Sequence, residues 1–130
     1  MKNLLMASYW IGIVADAIAT VLLFSPKVAE IILNPSPFEI SDAYLYVSRI
    51  AGTLVAGWTV LLFWAQKKPI ERADILIITV FPVITLLTVA AVLVVNSNHI
   101  SILRMMPMFL LYIIIFPTYI ISYLWAKRQL

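Results

Sequence analysis

The chain has 130 residues, 64% of them hydrophobic and 12% charged, with a formal net charge of +3 and a mean hydropathy of +1.05. A soluble domain this small cannot hide so much apolar surface, because its surface-to-volume ratio forces much of the chain outward; lipid must be the solvent for most of these side chains. The absence of cysteine excludes disulfides, thiolate metal sites and thiol redox chemistry within the chain. The basic residues sit mostly at the ends of apolar segments, a membrane pattern and not a nucleic-acid one.

The first apolar segment, Leu4–Phe24, is stopped by Ser25-Pro26. It passes through the small residues Ala17–Ala19, where a leader would be cut, and so reads as a retained membrane anchor. The next stretch, SPKVAEIILNPSPFEISD, is the one long connection. Ser25 can cap a helix with Pro26 at its first position, and Val28, Ile31 and Ile32 then share one face. This predicts a short helix lying on the outer membrane surface, ended by Asn34-Pro35. It is expected to act as a packing lid, with gating or partner binding as the alternative.

The second segment, Ala43–Ala65, contains Arg49; the turn QKKPIERAD then makes it a hairpin with the third, Ile75–Val95, which carries Pro82. After NSNHIS comes the fourth, Ile102–Ala126, with Pro107 and Pro117. Each segment reaches the roughly 20 residues that a bilayer core requires. Lipid leaves unpaired backbone groups no solvent, so all four are helices. Pro82 and Pro117 should kink or locally loosen their helices. Pro107 falls inside the fourth segment, the alternative being the first turn of a shorter fourth helix, which would leave Arg104 at the interface. The fold class is therefore all-α: a polytopic four-helix membrane bundle spanning residues 1–130 as one membrane domain, with a short interfacial helix after the first span.

Lys2, Lys67, Lys68, Arg72, Lys127 and Arg128 fall on one side of such a bundle, against Lys27, Arg49 and Arg104 on the other. The positive-inside rule places both termini inside, with Trp10, Trp64 and Trp125 as interface anchors.

Two charges fall inside spans. Asp16 lies about 12 Å from the outer end of the first span, and Arg49 about 9 Å from the outer end of the second, at the helical rise. Tyr9, Gly12, Asp16 and Thr20 form one stripe, and Tyr46, Arg49, Gly52, Thr53 and Ala56 another. Ser48, Gly52 and Ala56 make a small-residue track of the kind that lets membrane helices approach, with Gly12 and Gly57 as further packing positions. The spans are expected to pack through these stripes with Asp16 paired to Arg49, and Arg104 as a second cation beside the same carboxylate. An isolated charge at the bilayer centre costs about 3 kcal/mol on insertion scales. Pairing alone therefore explains both residues as a lock on helix register. The alternative is an outward-open polar pocket for a ligand, lined by Asp16, Arg49, Arg104, Tyr9, Tyr46 and Tyr112.

Other chemistry is sparse. His99, the one histidine, reads as a polar loop residue, since no partner follows at metal-ligand spacing. Met105, Met106 and Met108 read as packing, and Tyr112, Tyr119 and Tyr123 as interface or packing tyrosines. No metal site, Ser-His-Asp set or phosphate loop is visible.

The stretch SRIAGTLVAGWTVLLFWAQKKPIERADILIITVFPVI resembles the small four-helix membrane proteins grouped as DoxX-like. The residues that carry the resemblance are Arg49, Gly52, Gly57, Pro69 and Arg72: an arginine and glycines in a helix, then a polar turn with proline and basic residues. The resemblance implies a four-span layout and a quinone-linked oxidoreductase or accessory role, while the lack of cysteine argues against a thiol-dependent one. The expected function is binding or accessory. The protein would hold a lipid, quinone or small anion, or serve as a subunit of a larger inner- or plasma-membrane complex, with no nucleic-acid partner. The rival classes are an oligomeric transporter of protons or organic anions, and a membrane enzyme acting on a lipid-soluble substrate with Asp16 as acid or base.

Overall fold

The computed structural model describes residues 1–130, and they form helices joined by short turns, with no strand. In chain order they are α1 (Lys2–Phe24), α2 (Pro26–Leu33), α3 (Asp42–Ala65), α4 (Asp74–Ile78), α5 (Thr85–Asn96) and α6 (Ile102–Lys127). Together α4, the Thr79–Ile84 passage and α5 make the third span, Asp74–Asn96. The four spans of 23, 24, 23 and 26 residues are about 35–39 Å long at the helical rise, enough for a hydrocarbon core of about 30 Å. Only 23 of the 130 residues are buried within the chain, so most apolar side chains face lipid. The protein is a small integral membrane protein.

Local chemistry explains the ends. The Ser41 hydroxyl accepts the Tyr44 N–H at 3.1 Å to start α3, and the Ser101 hydroxyl accepts the Arg104 N–H at 3.4 Å to start α6. Pro26 opens α2 as its sequence suggests, while the Ser25 side chain makes no cap bond. Asn34 closes α2 in the left-handed region, with φ 44° and ψ 55°. The alternative of a shorter fourth helix is excluded. Pro107 lies inside α6 and not in its first turn, since Ser101 caps the helix and it begins at Ile102. Pro117 also lies inside α6, which runs on unbroken to Lys127, and next to it the Thr118 hydroxyl donates to the Ile114 carbonyl at 2.7 Å.

Pro82 does break its span. Phe81, just before it, is extended at φ −122°, ψ 107°, the conformation that a following proline favours. Threonine hydroxyls on either side of the break add bonds to carbonyls that also accept backbone N–H groups. The Thr85 hydroxyl donates to the Val80 carbonyl at 2.9 Å and the Thr79 hydroxyl to the Ile75 carbonyl at 2.7 Å.

Around the bundle, α1 packs along α3 and also against α6, and the third span packs against α6. The Trp58 indole N–H, donating to the Thr79 hydroxyl at 3.2 Å, ties α3 to the third span. The tightest packing is at the end that carries both termini. Leu5, Ser8, Tyr9, Leu62, Leu76, Val80, Tyr119 and Ser122 are the largest side chains closed off from the surface, and all lie in that half. There the Ser8 and Ser122 hydroxyls bond at 2.9 Å, and the Tyr9 hydroxyl donates to the carbonyls of Pro69 and Arg72 at 3.2 and 3.1 Å. Arg72 in turn donates to the Trp64 carbonyl at 2.7 Å and stacks over the Trp64 ring, and Lys127 pairs with Asp74 at 2.8 Å. Lys2, Lys67, Lys68 and Arg128 share this end, so the positive-inside rule makes it the inner one.

Candidate functional site

The α1–α3 contact is built on small residues. The Ser48 hydroxyl donates to the Leu23 carbonyl, and Gly52 lies against the Phe24 ring. On α1, Gly12 lies against the Tyr119 hydroxyl and Leu62 Cδ1. Ala56 is half-buried. Gly57 differs from the other packing positions: nothing in the chain lies within 4 Å of where its Cβ would be.

Arg49 does not join this contact, and the expected Asp16–Arg49 pair is absent. The chain's ion pairs are Lys68–Glu71 and Lys127–Asp74. The reason is angular. Gly52 is three residues from Arg49, which leaves the two directions about 60° apart at 3.6 residues per turn. Gly52 takes the face towards α1, and Arg49 is rotated past that edge onto the exposed face. Tyr46, Arg49, Ile50, Thr53 and Leu54 line a shallow groove of about 290 Å³ there, with Tyr46 68% exposed.

Asp16 stays half-buried on α1. The Thr20 hydroxyl, on the same stripe, is turned to the backbone oxygen of Asp16 at 2.8 Å. Tyr119 is fully buried, and its hydroxyl has no hydrogen-bond partner. The surface cavities of 290 to 540 Å³ do not include Asp16 among their lining residues.

Arg104 is not beside Asp16 either. Its guanidinium donates to the carbonyls of Ile31 and Ile32 at 3.5 and 3.3 Å, at the C-terminal end of α2. A cation there satisfies orphan carbonyls and complements the helix dipole. The six expected ligand residues therefore separate into three places. Towards the interior lie Asp16, half-buried on α1, Tyr112, buried on α6, and Tyr9, bonded to the inner turn. Tyr46 and Arg49 share the lipid face of α3. Arg104 holds the outer helix.

The sequence reading did not single out Ser8, Ser122, Trp58 or Thr79 as bonded partners. Their signal is weak, since a lone hydroxyl or indole in an apolar run shows no partner until the helices are placed. The same holds for the Tyr119–Gly12 contact. No group of three His, Asp or Glu side chains gathers where a metal ion could be held.

No family model, curated protein or solved structure matches this chain. The functional reading therefore rests on its own geometry.

Proposed function

We propose that the protein is an accessory membrane protein that holds the phosphate group of a lipid on the outer half of α3. The observation that carries this reading is Arg49, exposed on a lipid-facing helix and paired with no carboxylate of the chain. A guanidinium in that position needs an anion or water. Helical side chains lean towards the N-terminus of their helix. The N-terminus of α3 is its outer end, so Arg49 leans outward from about 10 Å below the helix start, seven residues in at the helical rise. Tyr46 stands one turn nearer the surface on the same face. Guanidinium and phenol thus converge on the headgroup level, where the planar fork of arginine suits phosphate oxygens. Ile50 and Leu54 below them offer an apolar bed for the acyl chains. The DoxX-like resemblance, which includes Arg49 among its positions, fits an accessory role of this kind in an inner or plasma membrane.

Native mass spectrometry from mixed micelles tests the reading. Phosphatidylglycerol should remain bound where a diacylglycerol of the same chains does not, and Arg49→Gln should abolish the difference. Equal lipid retention by Arg49→Gln and the unaltered protein would sink the proposal.

A second reading, docking of α3 on another membrane subunit or a second copy, is supported by Gly57. This glycine lies further down α3, exposed and with open space before it, where a partner helix could approach closely. If the face meets only lipid, Gly57→Ala should stabilise α3 by about 0.5–1 kcal/mol, the usual gain over glycine inside a helix. If a subunit docks there, Gly57→Leu should dissociate the complex in blue-native electrophoresis.

A further inference from the structure

The outer end of the bundle contains a second built feature, independent of Arg49. A cavity of about 400 Å³ lies between the C-terminal half of α2, the Asn34–Ile40 segment, the first turn of α3 and the α5–α6 turn. Its walls are held from several sides. The Ser36 N–H donates to the His99 carbonyl at 2.8 Å, and His99 Nδ1 lies 2.9 Å from the Ser36 carbonyl. Arg104 fixes the end of α2 above it, and Phe38 meets Tyr44 edge to face with ring centroids 5.5 Å apart. The cavity is therefore part of the fold and not a gap beside a loose loop.

Its chemistry is one-sided. A backbone carbonyl can only accept, so the Ser36 contact puts the proton on His99 Nδ1; in the neutral ring, Nε2 then carries a lone pair. Glu39 and Tyr44 line the same cavity, and Glu39 belongs to neither ion pair of the chain. Arg104, which bonds the end of α2, is committed to the Ile31 and Ile32 carbonyls. Leu33, Phe38 and Ile100 supply the apolar part of the wall. A carboxylate, an accepting ring nitrogen and an aromatic pair around an apolar bed suit one kind of guest: a cation with several N–H donors on an apolar body.

We propose that this outer cavity is a binding site for a primary ammonium group carried on an apolar chain, with Glu39 as its counter-ion, His99 and Tyr44 as further partners and Phe38 as the stacking wall. Such a group occurs both on the headgroup of an aminophospholipid and on a free alkylamine, and the cavity's place at the membrane surface is open to either.

The full chain in lipid nanodiscs, titrated with n-hexylamine and followed by calorimetry, tests the site. In phosphatidylglycerol discs, hexylamine should bind saturably and hexanol should not. Glu39→Gln should weaken hexylamine about tenfold or more, the scale of a lost charge-assisted contact. Tyr44→Phe, which keeps the ring and the packing, should weaken it less. If aminophospholipid is the natural occupant, phosphatidylethanolamine discs should suppress hexylamine binding; unchanged binding in those discs would assign the site to soluble amines. Equal binding of hexanol and hexylamine, or full affinity in a Glu39→Gln variant with unaltered circular dichroism, would overturn the proposal.

Discussion

Gly12 is the position where one atom decides most. A Cβ there would come within 2.1 Å of the Tyr119 hydroxyl and 3.0 Å of Leu62 Cδ1. Tyr119 is fully buried, so its ring cannot swing aside and the helices must part. Gly12→Ala should therefore destabilise the bundle by about 1–3 kcal/mol, the range for overpacking. Adding Tyr119→Phe should restore part of that loss, because it removes both the clash and a buried hydroxyl that lacks a partner. Unfolding of the single and double variants in sodium dodecyl sulfate titrations measures both effects. The small residue was legible in the sequence as a packing position, since glycine in an apolar span has few other uses. Its partner was not legible: a tyrosine in an apolar helix looks the same whether it belts an interface or fills a core.

Among the elements, α2 shows how a lid is secured on a membrane bundle. Ile31 and Ile32 are exposed at 73% and 45% and offer their side chains to lipid. Ala29 packs inward, and the Ile31 and Ile32 carbonyls receive Arg104. Arg104→Gln should loosen α2 alone. Hydrogen exchange at the amides of Glu30–Leu33 should quicken while the fully buried inner core, Leu62 and Tyr119 included, keeps its protection; equal protection of α2 in both proteins would refute the tether. The interfacial helix itself was readable from Pro26 and the Val28, Ile31 and Ile32 face. The role of Arg104 was not, because pairing it with Asp16 required only a shared depth, and depth leaves the direction around the helix open. The same fault separates Arg49 from Asp16. A broad polar stripe on α3 looked like one face, but a single neighbour covers only part of it. Ser48 and Gly52 won that part because small residues allow the backbones to close.

At the scale of the whole molecule, four spans and the distribution of basic residues fix an architecture that was readable at once, since it depends on composition and segment length. The break at Phe81 was foreseeable from Pro82, whereas α6 absorbed Pro107 and Pro117 without ending. The lack of cysteine makes the topology simple to check. A membrane-impermeant maleimide should label Ser97→Cys in intact cells, and Lys68→Cys only after permeabilisation. The reverse pattern would invert the assignment of inner and outer ends. One consequence follows from the uneven packing of this bundle. The largest closed-off side chains gather in the inner half, while the outer half adds α2 and a cavity to the same four spans. The inner leaflet thus surrounds four helical segments, and the outer leaflet a fifth, α2, as well. The lipids of the two leaflets therefore meet unlike surfaces, a close-packed set of spans on one side and an added helix with its cavity on the other.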